Sequence, residues 1–386
     1  MCEPGVSIAN YGAVSAVGSG VGPLRNGLQN NSTGLRSFRK FDSPRFQSKV
    51  VGLAPRDLEQ EDPAWELATA ALAKAREGGK PTAERTGLVL STTKANITAL
   101  ERLMDSRPCS EAARRHLRPE LLAADLAAKF LMRGPVQTVS VACVSGLTAI
   151  QQGVRMIQRE EADEVYVVGV DCVSEFVMAG FTALKALDPA GCRPFDANRC
   201  GLSAGEAGAA IRLVKADQRD AGPQGVAPPG TVRVAGFGSS NDANHLTGPS
   251  RDGSGLAQAI RAALKAAGLE AAQIDYVHAH GTGTSYNDAM ESLALASVFG
   301  DECPPVSASK GMLGHTLGAA GVLETICCVL AMENNFIPGT PGLSVAAEGT
   351  PKSLVKEPRN GVKLKNVLKL NTGFGGMNGA LILQSA

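Results

Sequence analysis

The sequence predicts an α/β architecture assembled from two similar halves. Apolar strand-like runs alternate with helical periods over most of the chain, the pattern of sheets covered by helices. Two look-alike segments, 205–211 (GEAGAAI) and 376–382 (GMNGALI), each run from a glycine turn into an apolar strand. They read as the closing hairpins of two halves, although glycine turns before strands are common and one such pair does not by itself establish duplication. Between them, 216–230 (ADQRDAGPQGVAPPG) is rich in Pro, Gly and charge and reads as a linker. It divides a first half, 1–215, from a second, 231–386.

In the first half, strands are expected over 6–9, 86–90, 136–141, 164–170 and 209–214, and helices over 63–76, 119–131 and 144–159. In the second, strands are expected over 231–236, 274–279 and 367–371, and helices over 253–267, 285–299 and 316–332. The most apolar stretch, 319–332, carries Glu324 and is shorter than the roughly 18 residues of a membrane helix, so it reads as buried core. A net charge of +1 selects neither nucleic acid nor membrane, and 4% aromatics argue against base-stacking platforms. Met1 to Gly5 lack the basic and apolar regions of an export signal. Nine irregularly spaced cysteines then fit free thiols in a reducing cytoplasm.

Four segments concentrate chemistry. VSVACVSG (139–146) joins a strand to a helix, with Cys143 where the helix begins. Unpaired N–H groups and the positive end of the helix dipole favour a thiolate there and can hold an oxyanion. The alternative is a small side chain filling a strand end. Cys172 also follows a strand but sits beside Asp171, and Cys327 and Cys328 lie in the apolar helix, so Cys143 is the expected nucleophile. HAHGTGT (278–284) sets His280 at a strand end, with Thr282 and Thr284 sharing a side and glycines allowing close backbone approach. Either histidine alone reads as a satisfied strand-end residue. The His278–His280 pair lacks the further ligands of a zinc site, and Tyr286 breaks a dinucleotide glycine pattern. SASKGMLGHTLGAAG (307–321) places Lys310 among small residues and His315 near a helix start, where the dipole keeps an imidazole neutral. A lone lysine more often lies on the surface. NTGFGGMNG (371–379) is a Gly-dense turn around one aromatic, Phe374, either a gate or an ordinary core residue.

The order and spacing of ACVSG, AHGTGT, SKGMLGHTLGAAG and NTGFGGMNG resemble the elongating β-ketoacyl-[acyl-carrier-protein] synthases with a Cys-His-His triad. Arg133-Gly134-Pro135 and Arg193-Pro194-Phe195-Asp196 add weaker matches, and the resemblance covers essentially the whole chain. It implies a thiolase fold, duplicated halves in a five-layered α-β-α-β-α sandwich, and a dimer. Cys143 would take an acyl group from acyl carrier protein. The N–H groups of Cys143 and Phe374 would form an oxyanion hole, and His280 and His315 would hold the malonyl thioester carbonyl. A neutral imidazole near Cys143 would accept its proton. Lys310 and Glu324 would support the histidines, Thr282, Thr284, Gly373 and Gly375 would meet substrate, and Phe374 would gate. No metal or organic cofactor is implied. Cys200, Val144, Met377 and the order Ala207-Gly208 depart from the family pattern, and 92–133 looks shortened. Specialised lipid or polyene synthesis, with a homodimer or a related ketosynthase as partner, fits those departures. The competing readings are a non-catalytic chain-length-factor subunit, which usually lacks the cysteine, and a thiolase-like coenzyme A acyltransferase.

Overall fold

The computed structural model describes residues 5–78, 84–216 and 232–385. The expected linker, apart from Ala216, and residues 1–4 lie outside the described residues.

The first half contributes strands β1 (Val6–Ser15), β2 (Thr86–Ser91), β3 (Val136–Val139), β4 (Glu164–Asp171) and β5 (Ala207–Lys215). The second contributes β6 (Val232–Asn241), β7 (Tyr276–His278), β8 (Val306–Ser307), β9 (Asn366–Gly373) and β10 (Met377–Ser385). The sheet path runs β3-β2-β4-β5-β1 and then β6-β10-β9-β7-β8, so both halves have the same internal order. They also share its sense. In each half the second strand pairs parallel with the third and fourth, while the fifth pairs antiparallel with the fourth and first. β1 meets β6 antiparallel, with Ser7 opposite Arg233, and that seam joins the halves.

Six helices complete five layers: α1 (Pro63–Ala75), α2 (Pro119–Lys129), α3 (Ser145–Gln158), α4 (Ser254–Ala267), α5 (Ser285–Phe299) and α6 (Ala320–Glu333). α1 and α2 cover one outer face, α4 and α5 the other, and α3 and α6 lie between the sheets. Local chemistry sets the boundaries. Asp62 caps α1 through the Trp65 N–H at 3.1 Å, and Pro63 opens it. α4 runs between left-handed Gly253 and Gly268. Every residue of α6 from Ala320 to Met332 is buried, as a helix between two sheets requires. It crosses α3 at two glycines: a Cβ on Gly146 would lie 2.6 Å from the Val322 amide, and one on Gly321 would lie 2.5 Å from the Leu147 amide. No helix among the described residues is long and apolar enough to cross a membrane.

The fold departs from the sequence reading at its turns. The strand expected over 136–141 stops at Val139, because the chain reverses through Ala142 at φ 45°. The helix expected from 316 begins at Ala320, after a 3-10 turn at Leu317–Ala319. The two-residue β8 and the helix Glu175–Ala183 were not anticipated.

Candidate active site

The carboxyl ends of the parallel strands in both halves converge on one cleft of about 760 Å³. Cys143, His280, His315, Thr282, Thr284 and Phe374 line it. The Cys143 sulfur and a ring nitrogen from each of His280 and His315 lie within 4.8 Å of one another. His315 Nε2 is 3.0 Å from Cys143 Sγ, and the two imidazoles meet edge to face, 5.1 Å between centroids.

Cys143 lies on a tight reversal just ahead of α3. Ser145 Oγ accepts from the Val141 N–H at 2.7 Å and donates to the Ala142 carbonyl at 2.6 Å, pinning the left-handed turn. The end of β9 abuts it, since a Cβ on Gly373 would lie 3.1 Å from the Cys143 amide nitrogen. Phe374, the next residue, is 39% exposed, with its ring 6.3 Å from that of Phe181. Gly375 follows at φ 83°, with its N–H on the Leu246 carbonyl.

The thiol is set by two opposing influences besides the helix end. Burial pushes Cys143 up to about 11, and the positive charge of Lys310 only partly offsets this. Cys172, Cys327 and Cys328 are buried, and burial lifts all three.

Both histidines are held neutral, chiefly by burial and then by Lys310. His315 is pulled down to about 3, and His280 falls well below its usual value. Their tautomers follow from their partners. His280 Nδ1 faces the Lys310 ammonium at 3.1 Å and the Asn371 amide donor at 3.0 Å, so it accepts and the ring proton sits on Nε2. His315 Nδ1 accepts from the Leu317 N–H at 3.2 Å, which again leaves the proton on Nε2. His315 therefore donates to Cys143 Sγ, where the sequence suggested an acceptor. It also precedes α6 by a 3-10 turn instead of starting the helix. His278 does not join this cluster. It is fully buried, with Nδ1 3.2 Å from the Ala279 carbonyl.

Beneath the imidazoles lies a charge cluster. Glu324 meets Lys310 at 2.6 Å and Lys369 at 2.8 Å, all buried. Burial alone would raise Glu324, but the two ammonium groups hold it near 2. Lys310 also donates to the His280 carbonyl at 2.6 Å, so it is a core residue and not a surface lysine. Two ammonium groups on one carboxylate leave this floor net positive, which disfavours a bound cation among Cys143, His280 and His315.

Two buried carboxylates of α5 shape the AHGTGT loop. Glu291 accepts from the N–H groups of His280 and Gly281 at 2.6 and 2.7 Å, and Asp288 accepts from those of Thr282 and Gly283 at 3.1 and 3.2 Å. Gly281 and Gly283 take positive φ, and a Cβ on Gly281 would lie 2.3 Å from that of Ala308. Thr282 and Thr284 share a hydroxyl contact of 2.8 Å at the cleft wall. Sequence reasoning missed Asp288, Glu291, Lys369 and Asn371. Acidic residues in the first turns after a glycine loop were the available signal for the first two.

Residues 22–219 match the N-terminal domain of β-ketoacyl synthases, and residues 231–344 match their C-terminal domain. The chain belongs to the β-ketoacyl synthase family. It is 32% identical to a protein named putative polyketide β-ketoacyl synthase 1 from Streptomyces halstedii, over 98% of this chain and 97% of that one. It is 29% identical to 3-oxoacyl-[acyl-carrier-protein] synthase 2 of Coxiella burnetii, over 98% of each. Among solved structures, the ishigamide ketosynthase/chain length factor superposes with a TM-score of 0.90 at 31% identity, with both chains fully covered. Those neighbours share the thiolase fold.

Two of the departures from the β-ketoacyl synthase pattern have a local setting. Val144 is wholly buried where Gly379 leaves room, a Cβ there standing 2.7 Å from its Cγ1. Cys200 is exposed and lines the cleft.

Proposed function

We propose that the protein catalyses decarboxylative Claisen condensation of an acyl group on Cys143 with malonyl-acyl carrier protein. The observation that carries this reading is the pair of neutral imidazoles beside Cys143, both with Nδ1 occupied as acceptor and so both with Nε2–H free to donate. Two donors and a thiol suit a carbonyl that must become an enolate better than they suit amide hydrolysis.

Cys143 Sγ attacks the acyl carbonyl, a new C–S bond forms, and the carrier thiol leaves with the Cys143 proton. The oxyanion is held by the N–H groups of Cys143 and Phe374, a role supported by the contact of Gly373 with the Cys143 amide. Malonyl thioester then presents its carbonyl oxygen to His280 and His315. Carbon dioxide departs, and the electron pair it leaves is stored as the enolate that both Nε2–H groups stabilise. The carbanion attacks the acyl carbon, and the intermediate collapses to a β-ketoacyl carrier and free Cys143. Lys310, with Glu324 behind it, holds His280 in its tautomer. Thr282 and Thr284 line the path of the pantetheine arm, Gly373 and Gly375 let the turn approach substrate, and Phe374 gates the cleft. This chemistry needs no metal or organic cofactor.

The reading extends to partners. The names of the relatives favour polyketide or fatty acid synthesis on an acyl carrier protein, with a chain length factor as a candidate second subunit; a dimer in the cytoplasm, serving polyene or another specialised synthesis, completes the proposal. The halves divide at 1–215 and 231–386. A chain-length-factor role is disfavoured by Cys143. Incubation with acyl-carrier proteins followed by intact-protein mass spectrometry tests the reading. The adduct is expected on Cys143, with carbon dioxide released on adding malonyl-carrier. No release above the level of Cys143→Ala with any carrier supports the partner-subunit alternative.

A further inference from the structure

The His280 loop and the turn that carries Phe374 lie side by side beyond the end of the strand ladder that joins them. β7 pairs with β9 as far as His278 opposite Lys369. There β7 ends and its chain turns into the loop 279–284, while β9 runs on to Gly373. On its other side that extension stays paired, with Thr372 opposite Asn378 and Gly373 opposite Met377 of β10. Toward the His280 loop, side chains take the place of the ladder. Successive strand residues face opposite ways. Asn371 therefore reaches the floor and donates to His280 Nδ1 at 3.0 Å, and Thr372 reaches α5.

The buried Thr372 hydroxyl donates to Asn287 Oδ1 at 2.6 Å. Two carboxylates fix the orientation of that amide. Its N–H groups go to Glu291 Oε2 at 2.8 Å and Asp288 Oδ1 at 3.2 Å, so its oxygen faces Thr372. The same carboxylates hold the N–H groups of His280, Gly281, Thr282 and Gly283. A continuous chain of hydrogen bonds thus runs from Thr372, two residues before Phe374, through Asn287 to the backbone of His280. Both Asn287 and Thr372 line the cleft.

We propose that Asn287 and Thr372 are positioning residues, a latch that holds the two oxyanion sites of the condensation in register. This rests on the reaction proposed above, in which the N–H groups of Cys143 and Phe374 hold the acyl oxygen and the two histidines hold the enolate oxygen. Acylation and decarboxylation each use chiefly one of those sites. Carbon–carbon bond formation uses both at once, because the enolate carbon must meet the acyl carbon before solvent protonates it. A misplacement on the order of 1 Å can cost about 10²-fold in such a step. Neither side chain touches a reacting atom. When the register is lost, malonyl-carrier still loses carbon dioxide, but the enolate takes a proton from water and leaves as acetyl-carrier. The acyl group then stays on Cys143.

The test measures β-ketoacyl-carrier formed per carbon dioxide released, with acetyl-carrier counted beside it. It compares the wild type, Thr372→Val, Thr372→Ser, Asn287→Ala and the double variant Thr372→Val with Asn287→Ala. The primer is the acyl-carrier protein that loads Cys143 in the adduct experiment. Thr372→Val keeps the shape of the side chain and removes the donor. Its product ratio should fall roughly tenfold, the upper worth of one neutral hydrogen bond, with acetyl-carrier making up the difference. Thr372→Ser should keep the wild-type ratio. On the Asn287→Ala background, Thr372→Val should add nothing further. Should Thr372→Val fail to fold by circular dichroism, Thr372→Ala replaces it in both arms. A merely structural role slows every step alike and leaves the ratio at its wild-type value. That outcome, a serine variant as uncoupled as the valine one, or additive effects in the double variant overturns the latch alone. A wild-type protein that releases no carbon dioxide with any carrier overturns the condensation reading and the latch with it.

Discussion

The two halves share a strand order and differ in what their loops carry. After the third strand, one half places a thiol and the other an imidazole, and the two meet at 3.0 Å. Between the fourth and fifth strands, the second half has a tight glycine turn from Gly373 to Met377, whereas the first runs from Asp171 to Ala207. That long excursion crosses to the other half, where the Phe195 N–H reaches Asp288 at 2.7 Å and Cys192 Sγ reaches the Thr282 carbonyl at 3.1 Å. Two equal frames thus carry different loops, and in the proposed reaction those loops divide the labour between nucleophile and donors.

Removing the nucleophile should break this division most completely. Cys143→Ala is expected to lower condensation by on the order of 10³ or more and to abolish the acyl adduct in intact-mass spectra. Persistence of that adduct would contradict the assignment. The donors come next. His280→Ala and His315→Ala should each slow carbon dioxide release from malonyl-carrier by about 10²–10³. Only His315→Ala should also slow acylation, because only His315 donates to the sulfur. Equal acylation rates in the two variants would erase the distinction.

Lys310→Met tests the floor beneath His280. It leaves Glu324 with one cation in a fully buried site, a class of change costing about 3–5 kcal/mol, readable by denaturant unfolding. Glu324 also sets a pH limit. Its folded value near 2 lies below its ordinary 4.5, so its stabilisation is present above about 4.5 and is lost as the pH falls toward 2. Gly373→Ala should slow acylation by a smaller factor, roughly tenfold, by pressing a methyl group on the Cys143 amide; an unchanged rate would place the oxyanion elsewhere.

The smallest effect belongs to a histidine of opposite character. His116 sits between Asp62 at 2.5 Å and Asp125 at 3.0 Å, stacked on Trp65. Burial pulls its value down, but the two carboxylates outweigh this and raise it. Its contribution is therefore complete below the ordinary histidine value and fades as the pH rises through the folded one. His116→Gln should flatten the stability profile across that window, as seen by thermal unfolding.

Much of this was legible in the sequence because the signals were local. Pro63 and Pro119 open helices, and the four chemical segments place Cys143, His280, Thr282, Thr284, His315, Gly373 and Phe374 on the cleft, while Gly375 and Lys310 do not line it. β4 shows no alternation because every residue in it is buried, so only its apolar run identified it. What escaped notice lies in contacts distant along the chain. Asn371 meets His280 through the pairing of β9 with β7, and Lys369 meets Glu324 because α6 packs against β9. The burial that raises the Cys143 thiol is of the same kind: a helix end is visible in a sequence, but the contact of the β9 end from the other half is not.

The crossing of chemistry between halves also orders events in time. The ribosome makes Cys143 well before His280, and the turn at Gly373, a wall of the same pocket, follows both. Until then the thiol has neither its donors nor the β9 edge that shapes its oxyanion site. In the proposed mechanism the site is therefore unassembled until the turn at Gly373 has been made and has folded against Cys143.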